Sequence, residues 1–153
     1  MKRFGIATLA ITVIGIGSAA AQNVVTDPGT IAHCLCARHD TAVLKDRVRE
    51  AQLEFDQDKA AVDTLDQQIA QTRVSVDVSI RGQVDALKAL NVQREQLYAQ
   101  VYNVDLPALQ AAIRNYDNAA GPYATYCAGR NFDAAVMAQV QRHLSCPVPP
   151  QSE

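Results

Sequence analysis

Residues 44–76 read LKDRVREAQLEFDQDKAAVDTLDQQIAQTRVSV, and stepping through them alternately by four and three lands on Leu44, Val48, Ala51, Phe55, Asp58, Val62, Leu65, Ile69, Thr72 and Val76. Only Asp58 and Thr72 on that path are not apolar. Apolar residues recurring every 3.5 positions lie in one stripe along an α-helix, so this stretch predicts a long helix with a coiled-coil-like seam. Continued towards the N-terminus, the same steps reach Thr41, Ala37 and Cys34. Between Ile31 and Leu106 there is no Pro and a single Gly, Gly82, so nothing interrupts a helix except near the middle. After Gly82 a second series runs through Leu87, Leu90, Arg94, Leu97, Val101 and Val104, with Arg94 its one polar member. Two seams of similar period flanking a lone glycine predict an antiparallel helical hairpin, a stalk over 37–104 with its tip near Gly82.

Close to that tip, Val74, Val76, Val78 and Ile80 alternate with Ser75, Asp77 and Ser79, the period of a half-buried strand. A lone strand has no partner in a helical chain. The preferred reading is therefore helix, with Val76 and Ile80 near the seam, Val84 extending it, and Val74 and Val78 left exposed as a candidate partner-contact surface. Beyond Val104 the apolar phase shifts to Leu106, Leu109, Ile113 and Tyr116. Asp105 before Leu106-Pro107 reads as an N-cap, which predicts a kink or a fresh helix ending between Asn118 and Pro122. A Gly- and Tyr-containing loop follows, and then a short helix capped by Asn131. Phe132, Val136, Val140 and Leu144 share one of its faces, and Arg142 and His143 sit in its last turn, where the helix dipole favours cations. These segments, 27–36 and 105–146, predict a small helical head, followed by a Pro-rich tail over 147–153. Tyr116, Tyr123, Tyr126 and Phe132 are expected in the core of the head. Tyr123 and Tyr126 are also the second candidate contact surface.

The N-terminus has its own logic. Lys2 and Arg3 precede an apolar run from Phe4 to Gly17, too short for a permanent span, and Ala19-Ala20-Ala21 offers the small residues of a peptidase site. Residues 1–21 are thus expected to be a Sec-type signal peptide cleaved after Ala21, which predicts a periplasmic or secreted protein. No second apolar run of membrane length follows, so no transmembrane span is expected in the mature chain. Export bears on Cys34, Cys36, Cys127 and Cys146, because disulfides persist in oxidising compartments. A bridge between Cys34 and Cys36 is disfavoured, since on a helix they point about 200° apart. Two long-range bridges from Cys34 and Cys36 to Cys127 and Cys146 are expected, with the connectivity open. The midpoint of Cys36 and Cys127 falls next to Gly82, which places the cysteines at the open end of the hairpin.

Composition sets the remaining limits. With 20% charged and 48% hydrophobic residues, 5% aromatic and no Trp, 153 residues make one folded, helix-leaning domain. A mildly acidic chain with scattered basic residues lacks the electrostatic footprint of a nucleic-acid binder. No phosphate loop, nucleophile elbow, zinc-protease helix or haem-attachment motif is present, so no catalytic residues and no cofactor are assigned. Asp56, Asp58, Asp63 and Asp66 spread around the first helix and read as a solvated face, with seam Asp58 expected to pair with seam Arg94. The reading that follows is an all-α, disulfide-fastened, non-enzymatic binding, adaptor or structural protein. It acts on an unidentified protein partner, and its coiled-coil seam also permits self-association. The alternative is a thiol-redox or Cu/Zn protein using His33, Cys34, Cys36, His39 and His143.

Overall fold

The computed structural model describes residues 23–149. The expected signal peptide, 1–21, and the last part of the Pro-rich tail lie outside the described residues. Within them the protein is all-α. Helix α1, Pro28–Ser75, is a single 48-residue rod, about 70 Å long at 1.5 Å per residue. Its start is determined locally. The Asp27 carboxylate accepts from the Thr30 amide at 2.6 Å and the Thr30 hydroxyl at 2.7 Å, and Pro28 occupies the first turn, where no donor is missed.

The return path is α2, Arg81–Gln100, a π turn, Val101–Asp105, and α3, Leu106–Tyr126, in direct succession. α1 packs on α2, on the π turn and on α3. Three cross-links show the return to be antiparallel: Cys34–Cys127, Asp66–Arg94 and Arg73–Asn91, whose midpoints all lie at or just beyond the turn. Every position of the first predicted seam, from Cys34 through Leu44 to Val76, is buried or half-buried. Ile31, Leu44, Val62, Leu65, Ile69, Val101 and Leu109 make up most of the core. α2 contributes no fully buried residue, because its partner covers it on one side only.

The tip differs from expectation. Residues 76–80 are neither helix nor strand but a five-residue turn, and Gly82 lies inside α2, with open space where a Cβ would sit. Polar side chains explain the break. The Ser75 hydroxyl bonds back to the carbonyls of Gln71 and Thr72, and the Asp77 carboxylate accepts from the Ser79 amide and hydroxyl at 2.9 and 2.7 Å. Such local bonds compete with helix propagation, and the β-branched residues 74, 76, 78 and 80 offer weak helix propensity against them.

Asp105 is not an N-cap. It has helical dihedrals and no capping bond, and it is 4% exposed on the seam, in the place expected of Val104, which is about half exposed. The cause is two residues on. Pro107 cannot donate to the carbonyl four residues back and would clash with it. In the wider π turn the Leu106 amide bonds to the Val101 carbonyl instead, which relieves the clash without breaking the rod. α3 then continues past the predicted end, through Pro122 to Tyr126, because Cys127 is tied to α1 just beyond it.

α4 spans Ala134–His143, and its cap is Asp133, not Asn131: Asp133 accepts from the amides of Ala135 and Val136, both at 3.0 Å. The predicted face Phe132, Val136, Val140 and Leu144 is half-buried, and α4 packs on α1 and on no other described helix. Val25 clips the preceding loop, its amide donating to the Asn131 carbonyl at 2.8 Å and its carbonyl accepting from the Asp133 amide at 3.0 Å. Tyr116, Tyr123 and Phe132 are half-buried as expected of the head, but Tyr126 is 62% exposed and outside its core.

The bridges are Cys34–Cys127 and Cys36–Cys146, with sequence separations of 93 and 110. In the chain-entropy account each closure of that length contributes at most about 4 to 5 kcal/mol. Full reduction is accordingly expected to lower the melting temperature by more than about 10 °C, followed by circular dichroism with thiol quantification. An unchanged melting curve with all four thiols free would contradict it. Truncating the buried Leu65 or Ile69 to Ala should cost about 2 to 5 kcal/mol in denaturant unfolding, whereas exposed Leu53→Ala should stay within about 0.5 kcal/mol.

Candidate functional site

Two regions gather the residues to which the sequence points, and they lie at opposite ends of the hairpin. At the tip, Val74 is 90% and Val78 84% exposed, with Ile80 beside them about half exposed. Val74 lies in the last turn of α1, and the turn carrying Val78 and Ile80 is internally bonded. Besides the Ser79 contacts, the Asp77 amide donates to Gln83 Oε1 at 2.6 Å and the Ile80 amide to the Asp77 carbonyl at 3.0 Å. The Ser79 hydroxyl, then its amide, hold the Asp77 carboxyl below the ordinary carboxylate value, with desolvation opposing them weakly. An ordered turn thus presents aliphatic side chains that its own chain does not cover.

Below the tip, one flank of the seam is polar. Arg94 pairs with Asp66, Nε to Oδ1 at 3.0 Å and Nη2 to Oδ2 at 3.4 Å, and not with Asp58 as expected. The register set at the base explains the difference. Cys34 faces Cys127, which puts Arg94 opposite about residue 67, so Asp66 is within reach and Asp58 lies two helical turns too far from the tip. The guanidinium also lies over the Tyr98 ring at 4.7 Å, and Tyr98 stacks on Tyr102 with centroids 4.4 Å apart. The hydrogen bond to Asp66 raises the Arg94 pKa, and partial desolvation opposes it. Asp56 and Asp63 accept from Gln52 and Lys59 one turn away, in keeping with a solvated acidic face.

At the base, the disulfides sit among three recesses. The largest, about 680 Å³, lies between α1 and α4 and is lined by Leu35, Arg38, His39, Gln141, Leu144 and Cys146. A second, about 430 Å³, includes His33, Cys36, Asp40 and Pro147. A narrower one of about 190 Å³ is bordered by His33, Asp40, Tyr123 and Cys127. Cys34, Cys36, Cys127 and Cys146 are all bonded, so none is a thiolate in this oxidised form. His33, His39 and His143 are exposed side chains, and among the described residues no three His, Cys, Asp or Glu converge as an ion site requires. Of the second candidate surface, Tyr126 is exposed, whereas Tyr123 is half-buried against its recess.

The chain matches no protein-family model, no curated protein and no solved structure. Among the described residues no helix is long and apolar enough to cross a membrane.

Sequence reasoning missed the Asp77–Ser79 turn, although Asp followed two residues later by Ser is a turn signal. It also missed the Asp27 cap, announced by Asp-Pro-Gly-Thr, and the recesses, for which no linear signal exists. A depressed carboxylate pKa stabilises the fold above the unfolded value, and that contribution is lost as pH falls through the lower folded value. The Ser79 amide resonance should therefore titrate with a midpoint below 3.8, the ordinary Asp value, and Asp77→Ala should abolish the transition in an NMR pH series. A midpoint at or above the ordinary value would show that the turn bonds do not persist in solution.

Proposed function

We propose that this is an exported, non-enzymatic binding protein, an adaptor or structural component that uses its hairpin tip to contact another protein. The observation that carries the reading is the pair Val74 and Val78, almost fully exposed in the last turn of α1 and in the tip turn that follows it, whose polar groups are already bonded to one another. Apolar side chains held in one geometry lose little entropy on burial, which is what preorganised contact surfaces exploit. The magnitude limits the claim. Burying two valines contributes about 3 to 6 kcal/mol, short of the roughly 8 kcal/mol of a micromolar complex. The tip therefore anchors a contact that extends onto neighbouring surface, and Ile80 together with the exposed Arg81 is the nearest.

Export is part of the proposal. It is supported by the Lys2-Arg3 start, the apolar run to Gly17 and the small residues at 19–21, and by two disulfides of a kind that persists in oxidising compartments.

The test is the double change Val74→Ser and Val78→Ser in the full chain exported to its native compartment, with in-cell cross-linking to identify the captured protein. Helicity and melting temperature should stay near wild type, since neither valine packs on the seam, while cross-linking from the tip falls several-fold. Undiminished capture by a folded variant would overturn the tip as contact surface and move it to the head around Tyr126.

A further inference from the structure

We propose that the two disulfides are not equivalent: Cys34–Cys127 is the permanent clasp of the hairpin, and Cys36–Cys146 is a reducible latch that holds α4 against α1. The inference rests on packing at the base and is independent of the adaptor reading.

Thiol–disulfide exchange requires a thiolate to reach a sulfur, so access decides which bridge reacts first. Cys34 and Cys127 are each 4% exposed, and Cys127 borders the narrow recess that Tyr123 also lines. Cys36 and Cys146 are both half-buried. Cys146 lines the large cleft between α1 and α4, and Cys36 lines the second recess, so the latch is approached from two sides.

The consequence of opening is equally asymmetric. α4 has 10 residues, none of them buried, and it packs on α1 alone among the described helices. A helix that short is unstable in water by itself. Without the latch, α4 keeps only its half-buried face and the loop that leads to it. That loop is itself anchored, since Val25 clips the chain at Asn131 and Asp133, so it stays in place and α4 alone is released. Departure of α4 uncovers Leu35, which is 8% exposed and lines the cleft beside Leu144. The rest of the hairpin stays closed through Cys34–Cys127.

The chemistry balances with a dithiol reductant. Its thiolate attacks one sulfur of the latch, the S–S bond breaks, and the other cysteine leaves as a thiolate that takes up a proton. The attacked cysteine is now held to the reductant in a mixed disulfide; the reductant's second thiolate attacks the reductant's own sulfur in that bond and expels the cysteine, which takes up a proton, so two electrons pass to the protein and the reductant becomes a disulfide. The reverse exchange recloses the latch.

Graded dithiothreitol on the wild-type mature protein, quenched with N-ethylmaleimide and mapped by peptide mass spectrometry, tests the order. The expected result is a window in which Cys36 and Cys146 carry label while Cys34 and Cys127 remain bonded. Hydrogen exchange in that window should show loss of protection over residues 134–146, with the seam over 44–101 unchanged. Simultaneous labelling of all four cysteines, or earlier labelling of Cys34 and Cys127, would overturn the inference. So would a labelled latch with undiminished protection of α4. The double variant Cys36→Ser with Cys146→Ser should show the same local loss without reductant. Should that variant misfold, the wild-type labelling decides alone.

Discussion

Two helices packed side by side can bury only one stripe each, and the rest of this structure follows from that constraint. The seam from Cys34 to Val76 is continuous, yet α2 lacks a single fully buried residue because no third layer covers its outer side. Small cores of this kind yield little net stability once chain entropy is subtracted. Covalent closure supplies what packing does not. Cys34–Cys127 joins α1 to the end of the returning rod, so the unfolded chain is constrained over nearly the whole length of the hairpin.

The constraint also accounts for the π turn. Straight helices drift in phase against a 3.5-residue seam, and a return rod 46 residues long, Arg81 to Tyr126, must stay aligned with α1 until Cys127 reaches Cys34. The π turn at Val101–Asp105 resets the phase and admits Pro107 at the same point. Its cost is visible in Asp105, whose carboxylate is carried onto the seam. One of its oxygens accepts from Gln100 at 2.8 Å, while the other has no hydrogen-bond partner among the described residues. A buried carboxylate so placed is destabilising relative to the valine that a regular helix would have put there.

What was legible in the sequence was what periodicity encodes. The α1 seam appears residue for residue because burial along one helix needs only a count of positions. The bridges to Cys127 and Cys146 were legible as a set but not as pairs, since Cys34 and Cys36 differ only in which side of α1 they occupy, and which partner lies on which side depends on where α4 packs. Arg94 was read correctly as a polar seam residue and assigned the wrong acid, because its partner was sought on the seam, whereas Asp66, which matches the register, flanks the seam beside Leu65. Val104 and Asp105 exchanged roles because a π turn leaves no pattern of its own beyond a proline two residues later. The candidate site divides in the same way. The exposure of Val74 and Val78 follows from the seam, whereas the fixed geometry of the turn that carries Val78 comes from side-chain bonds that no periodicity reports.

Polar contacts towards the tip are better understood as setting register than as adding stability. Asp66–Arg94 and Arg73–Asn91 are solvent-accessible, and polar pairs of that kind add little net stability. Their value is differential. A seam of Val, Leu and Ile packs nearly as well after a slip of one turn, but such a slip would part Arg94 from both Asp66 and its place over Tyr98, and would leave the Asp77 turn too long or too short. The disulfide fixes register at the base, and these side chains fix it some tens of ångströms away, where the clasp has least leverage. The aliphatic tip is thereby presented in one geometry by a rod that is otherwise only half enclosed.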